Sequence, residues 1–209
     1  MLRLIISALA LSFLTTPAHA GKEIAAPGKE VVSSSPFDKG RHEFQLGLGY
    51  SFSSASDGPL RPSVEDLDAA LRVGWMLNSP AGTGFFRGNC ELLVEVVAGG
   101  VTGGPSAVLA GGTLIFRYNF VQSSSKWVPY FQFGLGAVYT DMFKHRPQRL
   151  IGEGFEFTMQ GEIGVRYLWN PHTALYAEAG YRHISNADLA DRNYGLNSIV
   201  LQAGMSWFW

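Results

Sequence analysis

Phe155-Glu156-Phe157-Thr158-Met159-Gln160-Gly161-Glu162-Ile163-Gly164-Val165-Arg166-Tyr167 is the stretch on which the fold turns. Side chains of an extended strand point alternately to two faces, so this segment sorts itself. Phe155, Phe157, Met159, Ile163, Val165 and Tyr167 fall on one face, with Glu156, Thr158, Gln160, Glu162 and Arg166 on the other. A period of two sustained over such a length predicts a strand with two unlike surroundings rather than a helix.

Seven more segments repeat the pattern. Phe44, Leu46, Leu48, Tyr50 and Phe52 oppose Glu43, Gln45 and Ser51, and Leu67, Leu71, Val73, Trp75 and Leu77 oppose Asp68, Arg72 and Gly74. Leu92, Val94 and Val96 stand against Asn89, Glu91 and Glu95, while Leu114, Phe116, Tyr118 and Phe120 stand against Thr113, Arg117 and Asn119. Trp127, Phe131, Phe133, Leu135 and Tyr139 oppose Gln132 and two glycines. Leu175, Ala177, Ala179 and Tyr181 oppose Tyr176, Glu178 and Arg182, and the last strand sets Ile199, Leu201, Met205 and Trp207 against Ser198, Gln202 and Ser206. An apolar face that meets lipid and a polar face that fills a lumen predict an all-β fold, an eight-stranded antiparallel transmembrane β-barrel. Eight is even, and it is the size at which side chains fill the interior. A soluble barrel would turn these leucines and aromatics inward, and eight strands enclose too little space for them.

The chain has 209 residues with a formal net charge of −1, so no global basic field points to nucleic acid. The single Cys90 excludes an internal disulfide, and no Cys/His spacing suggests a metal site. Residues 1–20 read as a secretory signal: Arg3, an apolar run from Leu4 to Leu14, then Ala18-His19-Ala20. Residues 21–40, mixed in Pro, Gly, Ser and Lys, read as a flexible leader, and 41–209 as the barrel domain. Connections at 78–82 and 170–172 are turn-like, whereas 54–66, 141–154 and 187–196 are longer. With the leader on the periplasmic side, the long connections lie outside, as such barrels prefer; the link at 102–106 is short for its side.

Near the outer end of the seventh strand, His183 and Ser185 share the apolar face, roughly 7 Å apart along the chain. A base beside a hydroxyl is the minimum for nucleophilic ester chemistry. The plain alternative is that both merely finish a strand at the water boundary. The lumen charges, Asp68, Arg72, Glu91, Glu95, Arg117, Glu156, Glu162, Arg166, Glu178 and Arg182, read as structural pairs rather than as an acid/base couple.

Tyr181-Arg182-His183-Ile184-Ser185-Asn186-Ala187, followed by Asn193-Tyr194-Gly195 and a final apolar strand, resembles the signature of the lipid A 3-O-deacylase (PagL) family. The resemblance is strongest over residues 175–209. It implies an outer-membrane barrel whose site faces the outer leaflet and hydrolyses the ester-linked acyl chain at position 3 of lipid A, without a cofactor. It also implies Ser185 as nucleophile, His183 as general base and Asn186 as an oxyanion-hole contributor. Two positions depart from the pattern. Asn197 stands where an acid usually orients the histidine, and Asp188 where a glycine often stands. Asn197 has the right parity and a carbonyl that accepts a bond, but no charge; Asp188 and Asp191 are the candidate substitutes for the missing acid.

Lys144, Arg146 and Arg149 cluster with His145 in an outer connection and suit lipid A phosphates, although a solvated loop has the same composition. The terminal Trp207-Phe208-Trp209 resembles the aromatic ending read by the barrel-assembly machinery. The expected partners are thus lipopolysaccharide, the membrane and that machinery. The rival readings are a non-catalytic interaction barrel of the same descent, for which Asn197 argues, and a small channel, against which the filled lumen argues.

Overall fold

The computed structural model describes residues 35–209 except position 57. The strands are β1 (His42–Ser53), β2 (Val64–Met76), β3 (Gly88–Gly103), β4 (Val108–Phe120), β5 (Trp127–Thr140), β6 (Phe155–Asn170), β7 (Thr173–Ser185) and β8 (Leu196–Phe208). They pair in chain order, and β8 pairs antiparallel with β1 to close the barrel. Closure satisfies every strand edge, the condition for a sheet to exist in hydrocarbon.

The alternation holds in three dimensions. β2 runs buried and exposed residues in strict turn from Val64 to Met76. Outward-facing Leu48 is 72% exposed, Ile163 71% and Phe157 54%, a surface that only lipid would cover favourably. Inside, Arg117 and Arg166 share the carboxylates of Glu43 and Glu91, and Arg72 bridges Glu95 (2.6 Å) and Glu178 (2.7 Å). Above them Arg182 reaches Asp66 at 3.0 Å and Asp68 at 3.4 Å. Glu43 and Asp66 are lumen acids that the sequence reading did not include among the paired charges. An ion buried this far from water is tolerated only beside its partner, so these acids and arginines depend on one another.

Apolar residues close both ends. At the end bearing the long connections, here the upper end, Val64, Val97, Leu109, Val138, Met142, Leu150, Ile151, Ile184 and Leu196 form one cluster. At the lower end Phe37, Met76, Val121, Val128, Ala174 and Phe208 form another. Phe37 corrects the expected extent of the leader. Residues 35–40 fold against the barrel, with the Phe37 ring edge-on to Phe208 at 5.5 Å and its carbonyl accepting from Asn89 Nδ2. Burial of one aromatic outweighs the flexibility that the neighbouring composition suggests. The proposed signal sequence and residues 21–34 of the leader lie outside the described residues.

The short upper link is held from across the rim. Asp141 accepts from the Ala107 amide at 2.9 Å and the Ser106 hydroxyl at 2.7 Å. Those bonds hold its carboxyl down at about 2. At the lower rim Phe85 stacks on Phe120 (4.9 Å) and Trp127 lies against Tyr167 (4.8 Å), an aromatic girdle of the interfacial kind.

Candidate active site

His183 and Asn197 are direct cross-strand partners in the β7–β8 register, and Ser185 lies two residues on along the same face. On the β6 side, Met159 pairs with His183 and Phe157 with Ser185, giving the polar trio an apolar flank. His183 Nδ1 is 2.6 Å from Asn197 Oδ1, and His183 Nε2 is 3.0 Å from Ser185 Oγ. An amide oxygen only accepts, so Nδ1 carries the proton and Nε2 is left bare towards the serine hydroxyl. That is the tautomer a general base needs. Asn197 thus orients the ring, but it brings no negative charge to an imidazolium. His183 and Ser185 are half-buried and Asn197 is exposed.

The connection after β7 turns sharply. Ala187 (φ 52°) and Asp188 (φ 63°) both occupy the left-handed region. A glycine at the Asp188 position would sit there without strain, the physical reason for the residue type that the signature favours. Asn186 is buried, and its side chain is committed to this turn. Its Nδ2 donates to the Arg192 carbonyl at 3.1 Å, while its backbone N–H donates to Asn193 Oδ1 at 2.9 Å. Of the Asn186 amide, expected at the oxyanion, one N–H thus caps a carbonyl of the loop itself, as a short polar side chain next to a turn readily does. Asp188 is not a substitute acid for the histidine. Its carboxylate accepts from Asn193 Nδ2 at 2.8 Å, and Nδ1 of His183 is already engaged by Asn197. Asp191 faces a different neighbourhood, described next. Among the described residues the N–H groups of Ala187 and Asp188 have no acceptor.

Lys144, Arg146 and Arg149 are all exposed at the upper rim, but they do not act as one cluster. Arg146 and Arg149 line a recess of about 390 Å³ together with Leu60, Gln148, Asp191 and Arg192. Lys144 lies outside it, with Nζ 5.7 Å from the Phe143 ring. Arg192, which the sequence reading missed, donates to the carbonyls of Phe143 (2.7 Å) and Gln148 (3.2 Å) and so ties the two outer connections together. Backbone bonds extend the tie: Arg149 N to Leu60 O, Tyr194 N to Arg149 O and Gly195 N to Leu150 O. Nothing in the motif marked Arg192 beforehand; it stands immediately before Asn193-Tyr194-Gly195.

The outer face carries larger recesses away from the serine. One of about 700 Å³ is lined by Phe131, Ile163, Ala177 and Ala179. Ala179 is six residues before Ser185, roughly 20 Å along the strand. The polar trio lies open on the barrel wall.

The family model for lipid A 3-O-deacylase (PagL) matches residues 45–206, a span from β1 to β8 that includes His183, Ser185 and Asn197. The chain belongs to the PagL family. It is a lipid A deacylase-like barrel of the outer-membrane type. The crystal structure of the outer membrane enzyme PagL is similar to it at a TM-score of 0.53 and 17% identity, covering 78% of this chain and 97% of that one. Neisserial surface protein A (NspA) is similar at 0.57 and 17%, covering 81% and 99%. At these identities both likenesses show the fold alone, whereas membership of the PagL family rests on the sequence match. No curated protein matches the chain.

Proposed function

We propose that the protein is an outer-membrane ester hydrolase that removes the 3-O-linked acyl chain of lipid A. The observation that carries this reading is the continuous relay Asn197 Oδ1, His183 Nδ1, His183 Nε2, Ser185 Oγ, with links of 2.6 and 3.0 Å. Ser185 Oγ attacks the ester carbonyl while its proton passes to His183 Nε2. The tetrahedral oxyanion is met by the N–H groups of Ala187 and Asp188, which no acceptor among the described residues engages. Collapse returns the proton from His183 to the departing sugar oxygen and leaves an acyl-serine. Water, deprotonated by the same histidine, then frees the fatty acid and restores Ser185.

The placement suits the substrate. The upper end is the extracellular one in this reading, so the site lies at the outer-leaflet boundary and lipid A reaches it without leaving the membrane. The chain is exported by its signal segment and assembled through its aromatic ending. The Arg146 and Arg149 recess offers guanidinium groups to a lipid A phosphate. Lys144, outside it, belongs to the solvated rim.

One observation favours a second reading, a non-catalytic barrel of the family: Asn197 is neutral, and removing the acid of a triad has lowered turnover by about 10⁴ in a serine protease. Mass spectrometry of lipid A from a heterologous host decides between them. Expression of the wild type is expected to remove one 3-O-linked acyl chain, and expression of Ser185→Ala to remove none. Unchanged lipid A with folded wild-type protein in the outer membrane would leave the non-catalytic barrel.

A further inference from the structure

We infer that Gly195 is a positioning residue for His183, in an inference that rests on the proposed reading of His183 as the base. Gly195 is buried at the threshold of β8, with φ +73°. A Cβ built on it would lie 2.7 Å from Cε1 and 3.4 Å from Nε2 of the His183 ring. The bare Cα is thus the wall against which the imidazole edge rests, on the side that presents Nε2 to Ser185.

Two features make the contact functional rather than a matter of packing. Gly195 has no room to retreat, because its N–H donates to Leu150 O at 3.0 Å and the β8 ladder begins at the next residue. The ring, by contrast, is the free end of a flexible side chain on the open wall of the barrel. A methyl group at 195 is therefore relieved by rotation of the imidazole, which breaks the 3.0 Å approach to Ser185 Oγ while leaving the barrel intact. Reacting groups tolerate little misplacement, so such a rotation lowers turnover without touching the substrate contacts.

Two variants separate ring displacement from backbone strain. Ala carries a Cβ and dislikes the left-handed region, whereas Asn carries a Cβ and tolerates that region. Full-length protein in detergent micelles is assayed on lipid A bearing a 3-O-acyl ester, and its ¹⁵N-histidine spectrum is recorded, with His183 assigned from His183→Gln. Both Gly195→Ala and Gly195→Asn are expected to lower kcat by about ten- to a hundredfold, to leave KM within about twofold and to keep heat-modifiable gel mobility. Both should also shift the His183 ring nitrogens. Wild-type kcat and an unchanged His183 spectrum in Gly195→Asn would overturn the inference, as would loss of the folded barrel in both variants. If the wild type cleaves no lipid A ester, the hydrolase reading fails, and the His183 spectra still decide whether Gly195 positions the ring.

Discussion

Inside the barrel and on its outer wall, the same few polar residue types do opposite work. The lumen packs Arg72, Arg117, Arg166 and Arg182 among Glu43, Glu91, Glu95, Glu178, Asp66 and Asp68, with every arginine joined to two acids. Each of these ten charged groups is paired with at least one of opposite sign, so their attraction is spent on holding the lumen together. The candidate site on the wall is three polar side chains, His183, Ser185 and Asn197, in a line with two hydrogen bonds and no formal charge among them. Strand parity alone separates the two sets. An Arg182 one residue away from His183 belongs to the structure, and His183 belongs to the site.

The largest test of that division removes the wall residues. Ser185→Ala and His183→Ala are each expected to lower ester hydrolysis by 10³-fold or more, with the heat-modifiable band unchanged. Since the two act as one unit, the double variant should be scarcely slower than either single one. A folded Ser185→Ala protein that retained turnover would place the chemistry elsewhere. The converse experiment strikes the lumen. Arg166→Met leaves Glu43 and Glu91 short of a partner, which typically costs about 3–5 kcal/mol, and should lower the temperature at which the barrel band converts to the unfolded one. Activity per folded molecule should stay within a few-fold. A barrel as stable as wild type would show that the lumen network is dispensable.

How far each region could be read beforehand follows from the same parity. Lipid outside and a packed polar lumen inside impose opposite demands on neighbouring residues, so eight alternating segments declared themselves without any structure. The meeting of His183 with Ser185 was legible because both lie on one strand, and that with Asn197 because parity set it on the same face. Residues whose roles depend on loop closure were not legible. Phe37 enters the lower end from a segment without periodicity, and Asn186 and Asp188 satisfy partners inside a turn whose left-handed geometry their residue types do not announce. Arg146 and Arg149 share a recess while Lys144 stands apart, a distinction made by chain path alone.

Asn197 is where the wall comes nearest to borrowing the lumen's device, a carboxylate beside a cation. Asn197→Asp exchanges an amide nitrogen for an oxygen at constant shape, so the 2.6 Å contact with Nδ1 is kept and a negative charge is added. Because Asn197 already holds the productive tautomer, the gain is confined to stabilising the imidazolium formed as Ser185 attacks. In a half-solvated site that amounts to roughly 1.4–3 kcal/mol, a ten- to hundredfold rise in kcat. Asn197→Glu should gain less, because its longer side chain must fold back. A fall in rate with Asp would mean that the ring is needed neutral, and that the neutral partner is an adaptation rather than a loss.

The smallest expected effect lies at the upper rim, where charge meets water. Arg146 and Arg149 face a recess open to solvent, unlike the lumen arginines, so their pull on a phosphate is screened by salt over about 8–10 Å. Replacing both with Gln is expected to raise KM for bisphosphorylated lipid A by about three- to tenfold at low ionic strength, and by less than twofold near 0.5 M salt. The lumen variant Arg166→Met should show no such dependence, since its partners are buried beyond the reach of counterions. Lys144→Gln serves as the internal control: it lies outside the recess and should leave KM unchanged at either salt concentration. If all three variants behaved alike, the recess would have no part in recognition and the loop would be a solvated one. If the arginine pair mattered equally for dephosphorylated lipid A, their contribution would lie in holding the loop that also carries Leu150, and through it Gly195, rather than in binding the headgroup.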